Sequence, residues 1–260
     1  MSDQSEASSR AVPDLMQLDW GDLRHALRQG WRDFLAEPLY GAFFALFYVA
    51  GGWLMVLAFS IKGQVWWVLP ASAGFPILGP FIACGFYEIS RRREAGQPLA
   101  LRAVLGVVLR QKDRQIPSMA AVIVVFFLFW NFLSHMIFAL FLGKATMTNV
   151  SSSFAVFATP EGVAMLAFGT AVGAVFCTLL FALTVVSLPM LLDRDVDFVT
   201  AMITSVQLVL HNPVVLLFWG ALIAAGLFVG MLPGFFGLLV VLPVFGHATW
   251  HLYRRALDWG

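Results

Sequence analysis

Charge is what this chain has least of. Only 12% of its 260 residues are Asp, Glu, Lys or Arg, against 60% hydrophobic, and its mean hydropathy is +0.83. An ordinary water-soluble domain carries about twice that share of charge, so water cannot be the main solvent. The formal net charge of +1 leaves no basic footprint for nucleic acid. Cysteine is nearly missing. Cys84 and Cys177 both sit in apolar runs without metal or redox spacing, which argues against a disulfide and for two small buried hydrophobes. The apparatus of soluble enzymes is also lacking: no glycine-rich phosphate loop follows a strand pattern, no G-x-S-x-G occurs, and no Ser, His and Asp set can be assigned. The opening MSDQSEASSRAVPDLMQLDW lacks the basic and apolar segments of a signal peptide. Residues 1–19 therefore read as a flexible cytoplasmic N-terminus, and insertion is expected to depend on internal helices.

Long apolar runs are what the chain does have. A bilayer core about 30 Å thick is crossed by about 20 helical residues, and six stretches qualify: 38–61, 65–87, 117–142, 162–192, 213–232 and 234–252. Lipid satisfies no backbone N–H or C=O, and these runs are about twice the length of a barrel strand. The expected class is all-α, a polytopic bundle of six transmembrane helices in three hairpins. No charged residue falls clearly inside a run, which disfavours proton relays and ion-coupled transport, since these retain charge at depth. Fourteen of the sixteen Lys and Arg residues fall on one side of this threading, leaving Lys62 and Lys144 on the other, which places both termini in the cytoplasm. Trp66 and Trp67 would anchor the outer interface, and Trp20, Trp31, Trp250 and Trp259 the inner one. The sequon Asn149-Val150-Ser151 falls in the outer loop and reads as a chance occurrence.

Three further helical stretches are too polar to span. In WGDLRHALRQGWRDFLAEP, Trp20, Leu23, Leu27, Trp31, Phe34 and Leu35 recur at helical spacing with Arg24, Arg28, Arg32 and Asp33 opposite. That pattern predicts a cytoplasmic interfacial helix with its basic face toward anionic headgroups. LALRAVLGVVLRQ is apolar except for Arg102, Arg110 and its terminal Gln. DVDFVTAMITSVQLVLHNP keeps a polar stripe of Asp197, Thr200, Thr204, Gln207 and His211. Each stretch runs into a proline, Pro38, Pro117 or Pro213, at a first-turn position where the missing N–H costs nothing. Second prolines, Pro80, Pro189 and Pro243, recur in the returning helices and predict breaks there. GPFIACGFYEISRR and LPVFGHATWHLYRR both place two arginines eleven and twelve residues after the proline. The chain thus reads as one membrane domain, 20–260, of three approximate repeats: 20–97, 98–194 and 195–256. Duplication and a constraint shared by all hairpins both explain it. The middle copy fits less well, with Arg194 five residues after Pro189.

Candidate sites are few. Gly169-x3-Gly173 and Gly226-x3-Gly230-x3-Gly234 offer small faces for close helix packing, within the chain or in a homodimer. Polar residues at depth, including Asn131, Ser134, His135, Thr170, Thr178, Thr184 and Ser187, are of the kind that bond between helices or back to a carbonyl. Asn131, His135, Thr178 and Thr184 would line a polar path if one exists. His247 and His251, four apart, share a helix face and could offer two imidazoles to a metal. The third ligand would come from Glu88, His211, Asp193, Asp195 or Asp197, none at diagnostic spacing, and Ala248 stands where a catalytic H-E-x-x-H helix has Glu. The competing reading is an interfacial belt of Trp250, His251, Tyr253, Arg254 and Arg255. In the DRDVD cluster, Asp195 or Asp197 is placed to cap the next helix. No cofactor is expected.

GWRDFLAEPLYGAFFALFYVAGGW, LPASAGFPILGPFIACGFYEISRRREAGQPLALRAVLG, TVVSLPMLLDRDVDFVTAMITSV and LPVFGHATWHLYRR together resemble an uncharacterised integral membrane family of proteobacteria, a domain of unknown function with six predicted membrane helices. The resemblance runs from about residue 20 to 256 and implies a bacterial inner membrane but no activity. An oxidase label sometimes given to such proteins fails on the residues: haem ligation in an oxidase core needs several membrane histidines, and of the five here His25 and His211 lie in interfacial stretches. The expected function is a non-catalytic accessory, scaffold or assembly protein in contact with lipid and with a membrane partner or second copy. The alternative is a transporter or channel for a neutral or amphipathic small molecule. A membrane enzyme built on His247, His251 and DRDVD ranks third.

Overall fold

The computed structural model describes residues 13–62, 68–143 and 157–259, with side chains except at 58–62 and 68–77. The first twelve residues, Trp66, Trp67, Lys144 and the sequon lie outside the described residues. In chain order the elements are β1 (Asp14–Leu15), α1 (Trp20–Ala36), α2 (Pro38–Lys62), α3 (Val68–Glu94), α4 (Leu101–Arg110), α5 (Ile116–Leu142), α6 (Pro160–Thr184), α7 (Ser187–Asp193), α8 (Phe198–His211), α9 (Pro213–Met231), α10 (Leu238–Ala256) and β2 (Leu257–Asp258). A short helix followed by two long ones occurs three times, beginning at α1, α4 and α8, with α7 prolonging α6 after a break.

Local chemistry sets most boundaries. Asp19 and Asp22 form a reciprocal capping box at the start of α1. Thr159 caps α6 and Asp197 caps α8 through side-chain oxygens that accept backbone N–H groups. Pro117, Pro160 and Pro213 stand in the first turns of α5, α6 and α9. Among the described residues, four spans are long and apolar enough to cross a membrane: Pro38–Leu57, Ile116–Leu142, Pro160–Asp193 and Pro213–Met231. Only 17% of the apolar window is buried in the second and fourth, so most of that surface is left uncovered within the chain and suits contact with lipid.

Three expectations change on contact with the structure. The prolines do not act alike: α3 continues through Pro80 and α10 through Pro243, and only Pro189 is associated with an interruption, at Val185–Val186. A proline ring clashes with the carbonyl four residues earlier, and for Pro189 that residue is Val185. The break is sealed from a neighbouring helix, because Ser205 Oγ of α8 accepts the Val186 N–H at 3.3 Å. The last long helix begins at Leu238 rather than 234, after a turn in which Gly234 and Phe235 adopt φ of 62° and 68°. The polar stripe on α8 is interrupted as well: Thr204 is buried, while Asp197, Gln207 and His211 are exposed.

The glycine faces pack inside the chain. Gly173 meets Trp130 and Gly169 meets Ile137, both of α5, while Gly226 meets Phe245, Gly230 meets Val241, and Gly234 meets Trp53. Residues 13–19, expected to be flexible, are held instead. β1 pairs antiparallel with β2, and the Met16 N–H donates to the Ala256 carbonyl at 3.0 Å. Asn212, 2% exposed, accepts the Leu18 N–H at 2.8 Å through Oδ1 and donates from Nδ2 to the Met16 carbonyl at 3.0 Å. Both ends of the described chain therefore lie together. Replacing Asn212 with Ala strands the buried Leu18 N–H, at about 1–3 kcal/mol, and releases the carbonyl of Met16, a residue that is itself exposed. Asn212→Ala is expected to lower the thermal midpoint in detergent and to make residues 13–19 the first site of limited proteolysis; unchanged cleavage there would refute the role of Asn212.

Candidate functional site

Five buried polar groups, Asp22, Asp33, Glu88, Ser90 and His247, gather at one end of the bundle, where the C-terminal turns of α3 and α10 run together and α1 crosses them. The crossing is close because α1 has no side chain at Gly30: a Cβ there would stand 2.6 Å from the Ala248 amide nitrogen and the Val244 carbonyl oxygen. One turn further on, Asp33 points into the junction. Its carboxylate accepts from Ser90 Oγ at 2.7 Å and His251 Nε2 at 2.8 Å on one oxygen, and from Arg93 Nε at 2.8 Å on the other. Burial pushes the Asp33 carboxyl up, but the hydrogen bonds from His251, Ser90 and Arg93 outweigh it and hold the group at about 2, below its ordinary 3.8.

His247 completes the cluster. Its Nδ1 lies 3.1 Å from the Phe86 carbonyl and 2.9 Å from Ser90 Oγ. A carbonyl only accepts, and the Ser90 proton is engaged by Asp33, so the ring proton sits on Nδ1 and is shared between two acceptors. Its Nε2 is buried and meets no partner among the described residues. Chemically this is not an activated serine. Ser90 donates to a carboxylate held at about 2, a weak base, and the imidazole nitrogen near its oxygen is itself a donor, so neither group activates the hydroxyl.

Further ion pairs surround this junction. Glu88, 0% exposed, accepts from Arg91 and Arg92 at 2.7 and 2.6 Å. Glu94 accepts from Trp250 Nε1 at 3.0 Å and Arg254 at 3.3 Å, Asp193 from the Tyr253 hydroxyl at 2.9 Å, and Asp22 from Arg255. Positions matched by the two R-R motifs meet: Tyr87 of α3 stacks on Trp250 of α10 with ring centroids 6.5 Å apart. Trp250 and Tyr253 are each 1% exposed, so they are core residues and not a lipid-facing belt. Trp20 and Trp31 are exposed as a belt requires, and Trp259 packs under the Arg194 guanidinium at 4.6 Å.

The proposed metal ligands go separate ways. His251 serves Asp33 and His247 serves Ser90 and Phe86, while Glu88 and Asp193 hold the partners above. Asp195 pairs with Arg114 at 2.8 Å, His211 is exposed, and Asp197 caps α8, its carboxyl lowered by the Thr200 hydroxyl and amide. Among the described residues no three His, Cys, Asp or Glu side chains gather as a metal site. The four residues of the polar path do not form a path. Asn131, His135 and Thr184 bond back to the carbonyls of Phe127, Asn131 and Leu180 in their own helices, and Thr178 is exposed. Thr184 alone of these four lines a cleft of about 240 Å³ between α2, α3, α6, α7, α9 and α10, with Tyr48, Tyr87, Phe181, Phe245 and Thr249. Sequence reading missed Asp33 as the hub. The sequence put Asp33 on the same face as the arginines of α1 and Glu88 just beyond an apolar run, and neither position by itself signals burial.

Residues 68–193 match the model of a family described as predicted integral membrane protein (DUF2189). The match includes Glu88, Ser90 and Arg93 and stops at Asp193, leaving Asp33, His247 and His251 outside it. No curated protein and no solved structure matches the chain.

Removing the charge of Asp33 leaves buried donors facing a neutral amide. Asp33→Asn is expected to destabilise the protein by about 3 kcal/mol, measured by thermal unfolding in detergent. Because the folded carboxyl sits at about 2 against 3.8, its contribution is complete above about pH 4 and is lost as the pH falls through about 2. The wild type should therefore lose stability over that window, and Asp33→Asn should lose less; equal acid sensitivity would sink the assignment.

Proposed function

We propose that this integral membrane protein crosses the bacterial inner membrane six times, with both termini cytoplasmic, and acts as a non-catalytic accessory or assembly protein. α3 and α10 supply the two crossings beyond the four most apolar spans, and α1, α4 and α8 lie at the cytoplasmic face. The pairing of β1 with β2 brings residues 14–15 beside 257–258, which supports an even number of crossings. The charged end carrying Arg91, Arg92, Arg93, Arg254 and Arg255 is the side that the positive-inside rule assigns to the cytoplasm.

The observation carrying the non-catalytic reading is where the ionisable groups go. Asp33, Glu94, Asp193 and Asp22 hold neighbouring helices, Glu88 is answered by Arg91 and Arg92 of its own helix, and among the described residues no Asp, Glu, Lys, Arg or His lines the cleft. Such a protein offers rigidity and an apolar perimeter to other membrane components. The experiment is native mass spectrometry on protein extracted gently from its own membrane. A partner subunit in fixed stoichiometry supports the reading, and a chain that is always bare of protein overturns it. Reporters that function only in the cytoplasm, fused before Met1 and after Gly260, should both be active.

A second reading, the binding or passage of a neutral amphipathic molecule, is favoured by the cleft, whose walls are aromatic and aliphatic with hydroxyls at Tyr87, Thr184 and Thr249. It predicts that Thr184→Cys is labelled by a membrane-impermeant thiol reagent, with Cys84 and Cys177 replaced by Ser. The scaffold reading predicts no labelling.

A further inference from the structure

α1 separates its charges in a way that its sequence does not show. Asp22, Leu23, Ala26, Gly30 and Asp33 are buried against the bundle, while Arg24, Arg28 and Arg32 are all exposed. The two acids within the helix, which would otherwise offset these arginines, are turned inward and engaged by Arg255 and by Arg93 with His251. None of the ion pairs among the described residues includes Arg24, Arg28 or Arg32. They stand one helical turn apart in a row about 12 Å long.

Beside the row runs an apolar edge. Trp20, Trp31 and Leu35 are exposed on the adjoining strip of the helix, and Trp20 meets Phe218 of α9 edge-on with centroids 5.2 Å apart. Phe218 and Val214 belong to the exposed face of a membrane span, and exposed Leu39 begins α2. The apolar edge of α1 is thus continuous with the lipid-facing perimeter, and the arginines lie beside it, where lipid headgroups would be.

We infer that Arg24, Arg28 and Arg32 form a ledge for anionic phospholipid headgroups in the leaflet that Trp20, Trp31 and Leu35 enter. The inference rests on the six-crossing reading, which places α1 at the cytoplasmic surface. Tryptophans fix the depth of the helix, and guanidinium groups that no carboxylate among the described residues answers present paired donors to phosphate oxygens. Anionic lipid is favoured over an acidic protein segment because the row borders exposed apolar surface along its length.

The test uses the full chain in nanodiscs of phosphatidylcholine mixed with phosphatidylglycerol, with retained lipids counted by native mass spectrometry. Wild type should be enriched in phosphatidylglycerol, each arginine contributing about fivefold. The variant Arg24→Gln/Arg28→Gln/Arg32→Gln should lose that enrichment by tenfold or more while unfolding at an unchanged temperature in phosphatidylcholine alone. Arg114→Gln, whose charge is engaged by Asp195, should leave enrichment intact. Equal enrichment in wild type and triple variant overturns the proposal, as does a triple variant that keeps its lipid and loses a co-extracted acidic protein. Wild type that fails to enter nanodiscs of either composition would overturn the membrane reading itself.

Discussion

A carboxylate taken out of water has to be answered by donors, and the helices that supply them are thereby fixed. Asp33 is answered from α3 by Ser90 and Arg93 and from α10 by His251. The three helices come from the first and last thirds of the chain, so this one anion ties the beginning of the bundle to its end. Hydrophobic burial cannot set that geometry alone, because lipid tails are as apolar as the side chains they would exchange with. Directional polar contacts and close backbone approach at Gly30 select one arrangement.

The same logic governs the weak points. Where α6 breaks, the freed Val186 N–H is met by a serine from another helix, and where α9 begins, Asn212 answers the backbone at Leu18 and Met16. In a medium that offers no water, each exposed backbone group needs such a partner. Pro80 and Pro243 lie in helices that remain continuous, so the missing N–H is tolerated within α3 and α10 without a change of element.

Buried charge gathers at the end where α1, α3 and α10 meet, and apolar surface covers the flanks. At the polar end the charges are arranged in two layers: acids turned inward to bind helices, and the arginines of α1 turned outward. That division gives the protein a rigid interior and a basic outer edge with no need for charge inside the cleft.

Composition, run lengths and the distribution of lysine and arginine settled the all-helical class, most element positions and the threefold order of helices, because apolar periodicity and end signals are local properties. Asp197 as a cap was equally local. The sequence could not say whether His251 faced lipid, metal or carboxylate, since all three put it on the same face of α10. It could not reveal that Trp250 is core or that Asp33 faces inward, because a helical wheel shows opposite faces without saying what lies against each. Those outcomes depended on α1 crossing α3 and α10, a contact between residues some 60 and 220 positions apart in the chain. The sequence by itself determined which segments are helices and which avoid water; the tertiary structure alone decided which polar side chains meet, because a buried charge is defined by its neighbours and those neighbours come from distant turns.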